Sequence, residues 1–225
     1  MKDQKRKTAG AQDAAAELKP KPAGLLLIGA LLSFFGWCIE TIFMYHVEGK
    51  LVDRGFLFLP LCPIYGCTMI IVYLLLGTPQ NGRITRKLTD GKMMKTSFPK
   101  KLLVFFVYFV SVALIASFAE LIVGSVSDKV FQLTLWEYNS YPFNLWGYVC
   151  LQFSIIWGIL ITTAMTLFWR PLTRLVAHLS EKAATLLCRL LCIFLLTDIV
   201  FNFAYLFLHS EPFDVFAHVN RVLKK

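Results

Sequence analysis

Three carboxylates fall in stretches that are otherwise apolar: Glu40, Glu120 and Asp198, the last with Asn202 one helical turn further on. In a hydrocarbon layer a charged side chain costs at least about 2.5–3.5 kcal/mol, so each must face neighbouring helices, a partner or water. There a carboxylate can exchange a proton, accept donors from a ligand or pair with a cation. Arg54 follows the first apolar stretch. Its guanidinium can pair with an acid or receive an anionic group through two parallel hydrogen bonds. Helical spacing puts Ser33, Gly36 and Glu40 on one face, and Ala113, Ser117, Glu120 and Gly124 on another. Cys150, Ser154, Gly158 and Thr162 form a third stripe of small residues. Small residues let helices approach closely, so the acids lie on packing faces. Glu40, Arg54, Glu120, Asp198 and Asn202 are therefore expected around a polar cavity. The competing readings are a solvated Glu40, a structural Glu40–Arg54 pair, and an Asp198–Asn202 pair acting as glue between helices, worth about 0.6 kcal/mol.

Other chemistry is absent from the sequence. Gly77 and Gly82 have the spacing of a phosphate-binding loop, but Arg83 and Ile84 stand where Lys and Ser or Thr would meet the phosphates. The chain therefore carries no ATPase of its own. Cys38, Cys62, Cys67, Cys150, Cys188 and Cys192 contain no C-x-x-C pair. Cys62 and Cys150 fall near one face, where a disulfide is conceivable, but burial as small hydrophobes is expected. The four histidines lack metal-ligand spacing. No hydrolase nucleophile elbow or zinc-protease motif occurs. Neither a metal nor a cofactor is expected.

The elements that must position these acids are membrane helices. Of 225 residues, 57% are hydrophobic and only 16% charged, against about 25% in a soluble domain. The net charge of +9 comes from basic residues between apolar stretches. They read as topology determinants and lipid headgroup anchors, not as a nucleic-acid surface. Spanning helices of about 20 apolar residues are expected near 25–47, 60–76, 102–126, 146–169 and 186–208, the second being short. Residues 1–23 read as a disordered basic tail, 24–208 as one five-helix domain, and 209–225 as a short tail. The first apolar stretch is too long for the hydrophobic part of a cleavable signal.

Orientation follows from the basic residues. Sixteen Lys and Arg fall in the N-terminal tail and in the loops after the second and fourth spans, against six on the other side. The N-terminus is then cytoplasmic and the C-terminus outside. The fold class is an all-α integral membrane protein. The hydrophilic inner loops are too short to be a catalytic domain.

Both longer outer loops are unusual. The first carries Arg54-Gly55 and then Pro60, Cys62 and Pro63 at the start of the short second span. Prolines there oppose regular helix, so the segment is expected to dip into the membrane only where it lines protein or water. The second loop is rich in aromatics: Trp136, Tyr138, Tyr141, Phe143, Trp146 and Tyr148. An interfacial belt explains many of these. It explains Asn144 less well.

The strings GWCIET (36–41), DRGFLFLPLCPIYG (53–66) and WEYNSYPFNLWGYVCLQFSIIWG (136–158) resemble signature blocks of a family of small bacterial membrane proteins, the putative type IV ABC-transporter permeases. The resemblance spans about residues 25–208. Positions matching the family signature are Glu40, Arg54, Gly55, Pro60, Cys62, Pro63, Tyr65, Gly66, Glu120, Trp136, Tyr138, Phe143, Asn144 and Gly147. Leu59 departs from the pattern, where a small residue is expected. The resemblance implies a permease component in a bacterial plasma membrane, with a separate ATPase subunit and membrane lipids as partners. A homo-oligomer is expected as well, because five helices make a small bundle. A different class of reading is a membrane-embedded enzyme or accessory protein acting on a lipid or lipid-linked envelope substrate, with the carboxylates as bases and Arg54 as phosphate clamp.

Overall fold

The computed structural model describes residues 20–49, 51, 56–89, 93, 96–210, 213 and 216. Arg54, Gly55, the first 19 residues and most of the C-terminal tail lie outside them. The regular elements of the described chain are helices and one small hairpin: α1 (Pro22–Glu48), α2 (Pro63–Leu76), α3 (Arg83–Thr89), α4 (Phe98–Phe131), β1 (Asn144–Leu145), β2 (Val149–Cys150), α5 (Leu151–Leu167), α6 (Trp169–Ala177) and α7 (Glu181–His209).

Among the described residues, α1, α4 and α7 are each long and apolar enough to cross a membrane. The pair α5 and α6, bent by 48°, makes a fourth candidate if taken together. Their outer surfaces are apolar to a degree that water would not tolerate. Leu114, Phe118, Phe194 and Val200 are all more than 60% exposed. Soluble monomers keep such patches to a few hundred Å², whereas lipid tails cover them without cost. The chain is a membrane protein built of apolar helices.

Helix ends follow local chemistry. Pro22 and Pro63 sit where the helix needs no N–H donor. Gly49 ends α1 in the left-handed conformation, φ 66°. Ser180 caps α7 by accepting from Ala183 N–H at 3.2 Å. The three long helices α1, α4 and α7 run past the expected bounds at both ends, because capped turns and polar residues extend helices beyond their apolar core. The segment expected at 60–76 forms helix only from Pro63. At 14 residues and about 1.5 Å per residue it is about 21 Å long, short of the roughly 30 Å hydrocarbon layer. The segment expected at 146–169 is helical only over 151–167, because the hairpin β1–β2 occupies its first residues. Its far end breaks where Pro171 cannot donate to the carbonyl of Leu167, four residues back.

Close packing brings α1 and α2 together. A Cβ on Gly66 would overlap the carbonyl of Gly29 and the Ser33 hydroxyl. One on Gly36 would overlap the ring of Tyr65. On α4 every fourth residue from Val104 to Gly124 is buried, a stripe that runs through Tyr108, Val112, Ala116 and Glu120. The stripe joins Ile28, Met69, Val72, Met165 and Trp169 in one core. Tyr108 donates to Gly77 O at 2.7 Å and Gln80 to Thr166 O at 3.2 Å, tying the turn after α2 to α4 and α5. An exposed Lys21–Glu181 ion pair at 2.6 Å puts the first turns of α1 and α7 side by side.

Candidate functional site

The bundle holds a cavity of about 550 Å³, lined from α1, α2, α4, α5, α6 and the aromatic loop after α4. Most of the lining is aliphatic or aromatic, including Leu32, Phe35, Ile64, Met69 and Ile161. Glu40 and Glu120 line it together. They come from different helices, and each is held by ring donors.

Glu120 lies on the buried stripe of α4 and is 7% exposed. Trp157 of α5 donates its indole N–H to Oε1 at 2.7 Å, and the Tyr138 hydroxyl donates to the same oxygen at 3.3 Å. Oε2 is buried and has no hydrogen-bond partner among the described residues. Glu40 accepts from the Tyr65 hydroxyl. The Tyr65 ring packs edge-on against Trp157, with centroids 5.2 Å apart. The two acids are thus joined by Tyr65 and Trp157 through one ring contact.

The aromatic loop closes the site through its own bonds. Trp136 donates to Tyr148 O at 2.9 Å, and its ring reaches the cavity. Tyr138 stacks on Phe153 at 4.7 Å. Burial, and then the negative charge of Glu120, pushes the Tyr138 phenol well above its ordinary pKa, so it stays a donor to the carboxylate. The turn beneath is shaped by Asn144. Its amide donates to Tyr141 O at 2.9 Å and to Asn139 O at 3.3 Å, and its Oδ1 accepts from Gly147 N–H. Phe143, Trp146 and Gly147 all have positive φ, which strains every one of them but glycine. Phe143 is 81% exposed. Phe143, Asn144 and Gly147 therefore build the loop and do not line the cavity. Tyr148 donates to Asp128 at 2.6 Å, a bond that raises its own pKa.

Asp198 and Asn202 sit elsewhere. Asp198 Oδ1 accepts from Phe58 N–H at 2.9 Å, and Oδ2 from Leu59 N–H at 2.8 Å. Asn202 donates to Oδ1 at 2.6 Å. The pair satisfies the irregular backbone that leads into α2, and neither residue lines the cavity. Pro60 lies within that lead-in. Cys62 N–H donates to Ser33 O at 3.1 Å, Pro63 opens α2, and Gly66 packs on α1. Arg54 and Gly55 fall outside the described residues. Cys62 and Cys150 are buried and unbridged. Among the described residues no cluster of three metal-ligating side chains occurs.

Sequence reasoning passed over Trp157. A tryptophan in mid-span, away from either interface and beside the small Gly158, was the signal for it. The sequence model of a family described as "Putative ABC-transporter type IV" matches residues 27–203. No curated protein and no solved structure matches the chain.

Proposed function

The chain belongs to the family of putative type IV ABC transporters, and we propose that it is the permease component, with its ligand site in the cavity between Glu40 and Glu120. The observation that carries this reading is the pair of acids converging on one cavity of about 550 Å³ and held there by Tyr65 and Trp157. Cavities of this size suit small organic ligands. Maintaining two carboxylates among apolar side chains is costly, and packing alone would be better served by leucine.

The reading includes five crossings with the N-terminus inside. Support comes from the Lys21–Glu181 pair, which places the first turns of α1 and α7 at one end of the bundle. Val176 beside Gly24 and the Gly77–Tyr108 bond gather further ends there. The described Arg83, Arg86, Lys87, Arg170, Arg174 and Lys182 lie on the segments that join those ends. The second crossing is broken: an irregular outer half over 56–62, then the half-helix α2. Irregular backbone at membrane depth requires protein partners for its N–H groups, and Asp198 supplies two. Discontinuous spans of this kind border ligand sites in many transporters. With no nucleotide-binding loop in the sequence, power comes from a separate ATPase subunit in the bacterial plasma membrane.

Crosslinking in the native host, followed by purification and assay of ATP hydrolysis, tests the assembly. A copurifying ATPase is expected. Recovery with an envelope-synthesis enzyme and no ATPase would overturn the permease assignment.

A further inference from the structure

We propose that the cavity takes an organic cation with an apolar body, such as an alkylated or arylated ammonium, its positive centre held by Glu120 and the surrounding rings. This deepens the ligand-site reading and rests on it.

The polar inventory of the cavity points to one sign of charge. Four aromatic residues with donor groups line it: Tyr65, Trp136, Tyr138 and Trp157. Each donor is already engaged, Tyr65 with Glu40, Trp157 and Tyr138 with Glu120, and Trp136 with the carbonyl of Tyr148. What the rings still offer to a ligand is their π-electron faces and edges, and faces attract cations. Glu120 lines the cavity with both of its donors on Oε1, while Oε2 is buried and accepts none. The side chain is more than nine-tenths buried, so water screens its charge poorly and the charge acts across the cavity. Among the described lining residues none is Lys, Arg or His. An anion would therefore meet the Glu120 carboxylate and no cation among those residues. A neutral apolar molecule would leave the charge of Glu120 without a counter-charge. The aliphatic remainder of the wall suits the ligand's hydrocarbon body.

The two acids differ in what they offer. Glu120 is held by two ring donors on one oxygen, which fixes its direction. Glu40 is only partly buried and accepts from Tyr65, a ring that also touches Trp157. A cation at Glu120 would thus be felt at Glu40 through that ring pair.

The test uses the intact chain in lipid nanodiscs and equilibrium dialysis of two labelled probes. Tetraphenylphosphonium and tetraphenylborate share size and shape and differ in charge sign. Saturable binding of the phosphonium at one site per chain is expected, with the borate showing none that competes. Glu120→Gln should weaken phosphonium binding by about tenfold or more, as loss of one partner of a buried charge pair does. The comparison on the unaltered protein needs no variant, so misfolding of Glu120→Gln would not spoil it. Equal or tighter saturable binding of the borate, or none of the phosphonium, would overturn the cation assignment. If the phosphonium fails while Glu40→Gln and Glu120→Gln still abolish function in the cell, the ligand class falls and the ligand site stands. If it binds as expected but those variants work normally in the cell, the cation site stands and the transport role falls.

Discussion

Trp157 donates its indole N–H to Glu120 at 2.7 Å from a separate helix, and this bond fixes one of the two cavity acids in place. Removing it tests how the acid is held. Trp157→Phe keeps an aromatic ring but leaves Oε1 with only the longer Tyr138 bond. Loss of one partner of a buried charged group costs about 1–3 kcal/mol. Thermal unfolding in detergent should shift by that order, and function should fall further than in Tyr138→Phe. Indistinguishable melting curves and function for both variants would show that Glu120 is held by something else.

The lead-in to α2 depends on Asp198. Asp198→Asn keeps the volume but turns one oxygen into a donor facing a backbone N–H. Asparagine keeps one acceptor for these two amides and loses the other. Hydrogen bonds to charged groups contribute about 1.5–3 kcal/mol each, so a loss of that order is expected, read as faster proteolysis near residues 56–62 and a lower melting temperature. Wild-type stability would mean that these amides are satisfied without the carboxylate.

Two glycine substitutions should separate packing from function. A methyl group on Gly66 meets the backbone of Gly29, which cannot yield, so Gly66→Ala should lower stability by about 1–3 kcal/mol and reduce the amount of folded protein. On Gly36 the nearest atoms it meets belong to the Tyr65 side chain and not to backbone. Gly36→Ala should fold better than Gly66→Ala yet displace Tyr65 from Glu40. Equal yield and equal function of the two variants would contradict the α1–α2 contact described above.

The crossing number has its own test. In a cysteine-depleted background, single cysteines at Asn139 and Ser210 should react with a membrane-impermeant maleimide added outside intact cells. One at Ser180 should react only after the membrane is opened. Labelling of Ser180 from outside would reverse the orientation.

Much of this was legible in the sequence because lipid imposes a simple rule on the backbone. Apolar stretches located α1, α4 and α7 within a few residues, and each block that carries the resemblance to the transporter family contributes residues to the cavity, among them Glu40, Tyr65, Tyr138 and Trp157. Small-residue spacing put Glu40 and Glu120 on packing faces, and both do line one cavity. The same reasoning grouped Asp198 with them. Depth along a span says nothing about which neighbour a side chain meets, and Asp198 turns to the amides of Phe58 and Leu59 instead. The second and fourth segments misled for backbone reasons. Pro63, Pro171 and the left-handed turn at Phe143–Gly147 decide where helix starts and stops, and hydropathy does not see them. Trp157 was missed because its partner, Glu120, is 37 residues away in the chain.

The central claim is that the Glu40–Glu120 cavity is where the chain does its work. The most direct measurement is complementation in the native host. A strain lacking the chain is profiled across a panel of toxic compounds, then given wild type or the Glu40→Gln, Glu120→Gln double variant at matched membrane levels. The double variant should behave as the deletion strain. Full restoration of the wild-type profile by that variant would contradict the account.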